Sequence, residues 1–150
     1  MVATCQTNTS VIRMIGRKFF LGDPCFAFPK GRPWLWEEVC DYMRDNGGFD
    51  RDHCVPVGNY HIVVFPTGRG DGVYLGSDGR KYGVDSGTIG LMPLELVAWM
   101  HGEDADMAAV AERLERLGRI IGDSRQDAII PCTNQGGNMT FGEINISTGG

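Results

Sequence analysis

Cys25, His61 and Asp85 are the residue types that thiol catalysis requires: a sulfur nucleophile, an imidazole to take its proton and a carboxylate to orient that imidazole. Cys25 directly follows a Gly22-Asp23-Pro24 corner, and the other two lie in distant segments, so catalysis would require the fold to bring them together. Against this stands the tendency of cysteine to be buried, and Cys25 opens an apolar run with Phe26. The expectation is a packed cysteine and no catalytic set. A small hydrolase or transferase using Cys25 and His61 is the alternative.

Two further groupings have ligand chemistry. Asp52-His53-Cys54 contains three possible metal ligands, but neighbouring side chains of an extended chain face opposite ways, so at most Asp52 and Cys54 cooperate. A charged loop leading into a strand with a buried Cys54 explains the triplet without a metal. Asp71, Asp78 and Asp85 recur every seven residues in a glycine-rich stretch, and oxygen ligands on flexible loops suit calcium. No EF-hand pattern is present, and turn chemistry accounts for Gly70-Asp71-Gly72 and Ser77-Asp78-Gly79. The glycines at 68, 70 and 72 precede a strand, so they lack the helix N-terminus of a phosphate loop. Ser86 lies in Asp-Ser-Gly, which is no nucleophile elbow. No metal and no cofactor is expected.

Tryptophan and arginine are the residues most often found at binding hot spots. Trp34 beside Arg32 is therefore the first choice for a contact surface, with Asp71 and Asp78 as exposed acidic contacts; burial of Trp34 under a neighbouring loop is the plainer reading.

The elements that would position these groups follow from periodicity. Val11 to Leu21 has the composition of a strand, Gly22-Asp23-Pro24 a turn, and Cys25 to Phe28 a short strand stopped by Pro29. Pro33 suits the first position of a helix running to Asn46, with Trp36, Val39, Cys40 and Met43 on one stripe. Tyr60 to Phe65 is apolar on both parities and predicts a central strand. A meander follows, with strands at 73–75 and 81–84. Pro93 opens a helix over 94–100, and a second runs over 104–121 with Gly118 inside it. Closing strands are predicted at 128–132 and 138–147, the latter bulged at Gly142. Residues 1–10 read as a flexible terminus and 11–150 as one domain. The order predicts an α+β fold, a mainly antiparallel, meander-containing sheet packed with two or three helices.

Composition narrows the function classes. Glycine is 22 of 150 residues, about twice the usual share of roughly 7%, which indicates many tight turns. The net charge is −5, with five basic groups against Asp23 alone in residues 1–35 and an acidic remainder. Such a chain is a poor direct binder of nucleic acid. No apolar stretch approaches the ~20 residues that span a membrane. Five cysteines without a CxxC pair, behind an N-terminus without a secretory pattern, predict free thiols and a cytoplasmic location.

Phe20-Leu-Gly-Asp-Pro-Cys-Phe26, Asp71-Gly-Val-Tyr74, Tyr82-Gly-Val-Asp-Ser-Gly-Thr-Ile-Gly90 and Pro93-Leu-Glu95 resemble a loose group of small bacterial and phage proteins. That group shows a Gly-Asp-Pro-Cys-aromatic corner and a Tyr-Gly-Val-Asp-small-Gly turn, and it has no established activity. The resemblance spans about residues 19–97. It implies a bacterial or phage origin and transfers no catalytic or binding role. The function expected is a non-enzymatic protein-binding module, a modulator or inhibitor of another protein.

Overall fold

The structure, a computed structural model, describes residues 4–8 and 11–149. In chain order the strands are β1 (Thr4–Asn8), β2 (Val11–Gly16), β3 (Lys18–Gly22), β4 (His53–Val57), β5 (Tyr60–Pro66), β6 (Gly72–Leu75), β7 (Lys81–Val84), β8 (Thr88–Pro93), β9 (Arg119–Gly122), β10 (Ala128–Gln135), β11 (Asn138–Phe141) and β12 (Ile144–Ser147). The helices are α1 (Pro33–Asp45), α2 (Leu94–His101) and α3 (Met107–Leu117), with a 3₁₀ turn at Pro24–Ala27.

Two five-stranded antiparallel sheets and a small hairpin result. The outer sheet has the order β1-β2-β10-β11-β12, the central sheet the order β4-β5-β8-β3-β9, and β6-β7 stands as a pair. Three layers follow from where the apolar side chains go. Met14, Phe19, Val63, Leu91 and Phe141 fill the space between the two sheets. Phe20, Val64, Met92, Leu96 and Met100 fill the space between the central sheet and the helices. Alternate residues of β5 therefore enter opposite cores, which is why Tyr60 to Phe65 is apolar on both parities. The α+β class and the antiparallel pairing expected from the sequence are present.

Local chemistry sets the helix ends. Pro33 opens α1, whose missing N–H costs nothing at that position, and Val39 and Met43 are its buried residues. Asp106 caps α3 by accepting the Ala109 N–H at 3.2 Å. Leu96, Val97 and Met100 of α2 are fully buried, each worth about 1.5–3 kcal/mol of apolar burial.

Several elements differ from the sequence expectation, each for a physical reason. Val11 to Leu21 is not one strand: β2 joins the outer sheet and β3 the central one, with the chain crossing between layers around Arg17. Cys25 to Phe28 is not a strand, because Asp23 caps and Pro24 opens a 3₁₀ turn there. The helix expected over 104–121 stops at Leu117, and β9 follows. Gly118 makes that break by leaving helical dihedrals at φ −164°, ψ −128°, and only glycine fits there, since a Cβ would lie 2.3 Å from the Leu21 carbonyl oxygen. The bulged strand expected over 138–147 is instead a hairpin that turns at Gly142, whose φ is +62°. Residues 4–8, expected to be flexible, pair with β2 from Thr4↔Ile15 to Asn8↔Val11, while 1–3 and 9–10 lie outside the described residues.

β8 was not anticipated, and it is the axis of the central sheet. Its six residues are all buried. Gly90 there passes so close to β5 that a Cβ would meet the Val63 carbonyl at 2.0 Å and the Pro24 ring at 3.4 Å.

Candidate functional site

The most connected polar group of the described residues is Asp23, with no exposed surface. Its Oδ1 accepts the Cys25 N–H at 3.0 Å and the Ser86 hydroxyl at 2.7 Å. Its Oδ2 accepts the N–H groups of Asp85 and Ser86, each at 2.7 Å. A buried carboxylate is tolerated when its lone pairs are filled. Asp23 therefore joins the corner before Cys25 to the turn after Val84, and it acts as a structural clasp.

This clasp determines what Cys25 can do. The thiol is half-buried, and burial pushes its pKa up, with the negative charges of Asp23 and Asp85 adding to the effect. A nucleophilic cysteine needs the opposite environment. His61 is not beside it. His61 has the strand parity of Val63 and Phe65, which enter the core between the sheets. Cys25 belongs to the 3₁₀ turn whose Ala27 and Phe28 pack into the core beneath the helices. The Nδ1 of His61 is buried and has no hydrogen-bond partner among the described residues. Asp85 reaches the Asp23 clasp through its backbone N–H, and the residue is exposed. The structure thus brings Cys25 and Asp85 near each other and leaves His61 on the far face of the sheet.

The remaining sulfur and imidazole groups also have structural roles. His53 Nε2 bonds with the Gly48 carbonyl oxygen at 2.6 Å, and His101 Nε2 bonds with that of Ala27 at 2.9 Å. Cys132 is buried, and burial pushes its thiol up to about 12. Cys25, Cys40 and Cys132 are free thiols, whereas Cys54 is disulfide-bonded. That bond corrects the expectation of free thiols throughout and weakens one of the two grounds for the expected cytoplasmic location.

The three aspartates at seven-residue intervals have separate surroundings. Asp78 accepts the Arg80 N–H at 3.1 Å, the Tyr82 hydroxyl at 2.6 Å and the Arg119 guanidinium at 3.0 Å. Burial would raise its pKa, but these donors outweigh it and hold the carboxyl below its usual range. With its side chain only 8% exposed, Asp78 is engaged inside the fold, where it holds the β6-β7 hairpin to β9, and is not an open contact for a partner. Asp71 is exposed near Gly87. Among the described residues, no three His, Cys, Asp or Glu side chains converge as metal ligands.

Arg32 and Trp34 lie on the helical layer. The Arg32 guanidinium donates to the Met100 carbonyl at 2.9 Å and so ties the start of α1 to the last turn of α2. Trp34 is 52% exposed and Trp99, beside Met100, is 54% exposed. Trp36 is partly buried instead, meeting Phe28 edge to face at 5.2 Å. Glu37 and Glu38 share the face of Trp34 at helical spacing, and Glu95 shares that of Trp99.

A groove runs beside α1. One part, about 470 Å³, is lined by Trp36, Phe49, Asp50, Thr67, Ser86 and Thr88 among others. It adjoins a cleft of about 660 Å³ through Asp50, Pro66 and Thr67, and that cleft reaches Asp52, Asn134 and Gly137. None of Thr67, Thr88 or Asn134 was singled out from the sequence. Each comes from a different segment, and no local spacing signals their meeting.

No helix among the described residues is long and apolar enough to cross a membrane. Comparison with protein-family models, with curated proteins and with solved structures found no match.

Proposed function

We propose that this protein is a non-enzymatic binding module that docks on a basic protein surface through its helical layer. The observation that carries this reading is the pair of half-exposed indoles, Trp34 and Trp99, on two helices that Arg32 clamps together. Large aromatic side chains held on a rigid frame are the usual anchors of an interface. The exposed Glu37, Glu38 and Glu95 on the same two helices, with Glu103 and Asp104 just beyond α2, supply an acidic rim that Arg17 and Lys18 flank beside Glu95. Such a rim attracts Lys- and Arg-rich protein surfaces and repels nucleic-acid phosphate. The raised pKa of Cys25 and the displacement of His61 support binding over thiol chemistry.

The test uses the full chain as bait, wild type beside a Trp34→Ala/Trp99→Ala variant with an unchanged circular dichroism spectrum. The expected result is a basic partner retained by wild type, released by raised salt and bound about tenfold or more weakly by the variant. Equal retention by both baits would overturn the reading.

A further inference from the structure

The polar atoms around the groove beside α1 show an imbalance between donors and acceptors. Thr67 donates its hydroxyl hydrogen to the Gly70 carbonyl at 2.7 Å. Ser86 donates its only hydroxyl hydrogen to Asp23 at 2.7 Å, so in the 2.6 Å pair of Ser86 and Thr88 hydroxyls Thr88 is the donor. Asn134 directs its amide hydrogens to the Asp52 carboxylate at 2.9 Å and the Pro66 carbonyl at 3.1 Å. The backbone follows the same rule. The Thr67 N–H donates to the Gly87 carbonyl, the Gly68 N–H to the Thr148 hydroxyl, and the Gly137 N–H to the Asn134 side-chain oxygen.

These side-chain and backbone donors of Thr67, Gly68, Ser86, Asn134 and Gly137 are therefore used inside the protein, while acceptors remain at the wall. The Thr67 and Thr88 oxygens keep lone pairs, and the carboxylates of Asp50 and Asp52 add negative charge. Partial desolvation raises the pKa of Asp52 although the residue as a whole is exposed and its Oδ1 accepts the Asn134 amide. The cation among the lining residues, Arg51, lies with its side chain over Gly47, toward the end of α1. Phe49, 52% exposed, and Trp36 supply aromatic surface in the part of the groove that Asp50 and Thr67 also line.

A wall rich in acceptors, acidic and aromatic, is complementary to a planar cation carrying many N–H donors. We propose that this groove binds a guanidinium group, stacked on the Phe49 and Trp36 side and bonded by Asp50, with Asp52 in the adjoining cleft adding negative charge. The group comes either from a free small guanidine or from an arginine side chain of a protein. The site is separate from Trp34 and Trp99 and does not rest on the docking surface proposed above.

The test is a titration of the isotopically labelled full chain with N-acetyl-arginine amide, followed by backbone amide resonances. Saturable shifts at Gly68, Ser86, Asn134 and Gly137 are expected. N-acetyl-citrulline amide, of similar shape but uncharged, should leave those resonances in place. Asp50→Asn and Phe49→Ala, two changes at exposed positions, should each weaken binding several-fold. Shifts that never saturate and spread over the whole acidic surface, or equal shifts with citrulline, would overturn the proposal. A tripeptide with central arginine separates the sources: binding at least as tight as the amide assigns the site to a protein arginine, and exclusion of the tripeptide assigns it to a free guanidine.

Discussion

The Asp23 carboxylate accepts the backbone N–H of Ser86 at 2.7 Å, across a separation of 63 residues. Through it the corner that presents Cys25 and the turn that begins β8 become one unit.

Asp23→Asn preserves the size of the side chain but places an NH₂ group where an oxygen received hydrogen bonds. At least one backbone N–H of the clasp then faces another donor inside the protein. A loss of about 3 kcal/mol in unfolding free energy is expected from a broken charge-assisted network. Urea denaturation measures it, and a change below about 0.5 kcal/mol, the size of an ordinary surface substitution, would contradict the clasp.

Gly90→Ala introduces a methyl group 2.0 Å from the Val63 carbonyl, in the middle of a fully buried strand. Backbone cannot yield there as a flexible side chain would, so the two central strands must separate. The expected cost is about 3 kcal/mol, at the upper end of ordinary overpacking, or about 6–12 °C in melting temperature for a chain of this size. An unchanged melting temperature would show that β5 and β8 are not packed as described.

Cys25 should be slow to alkylate. Its thiol is held protonated by burial and by Asp23 and Asp85, so near neutral pH it carries less thiolate than a free cysteine with pKa about 8.5. Peptide mapping after brief iodoacetamide treatment should find Cys25 modified more slowly in the native chain than in urea. Cys25 labelling faster than an unstructured cysteine peptide would restore the thiol-catalysis alternative.

Asp78 gives the acid limb of stability a definite sign. Its folded pKa is lowered beneath the 3.8 of a free aspartate, so the folded state binds that proton more weakly than the unfolded chain. The stabilisation is fully present above 3.8 and is lost as pH falls through the folded value. Asp52, raised by burial, has the opposite sign, since protonation in the window above 3.8 favours the folded state. Asp78→Asn should lower stability at neutral pH and flatten its decline below pH 3.8. Parallel curves for wild type and variant across that window would refute the assignment.

Features set by neighbouring residues could be read from the chain. Pro33 and Pro93 stand where their helices begin, the β6-β7 turn falls at Asp78-Gly79, and β5 shows its two-sided burial in its composition. The misread elements have a common cause. Cys25 to Phe28 is apolar enough for a strand, and the cue that mattered was Asp23 before Pro24, a helical start. Ile121 continues the helical spacing of Leu114 and Leu117 in sequence, yet the chain leaves the helix at Gly118 and enters β9. β8 alternates nothing, because both its faces are covered. The candidate site was less legible still. The clasp and the groove depend on contacts between residues as far apart as 63 positions for Asp23 and Ser86 and 82 for Asp52 and Asn134. Residue types alone suggested Cys25 with His61, and strand parity separates them.

The central sheet withholds a hydrogen-bond donor at each margin. On β9 the Ile120 N–H is taken by the Glu115 carboxylate at 3.2 Å, and on β4 Pro56 has no N–H to offer. Each rim therefore lacks one of the donors that an added strand would use, a local discouragement of edge-to-edge pairing through this sheet.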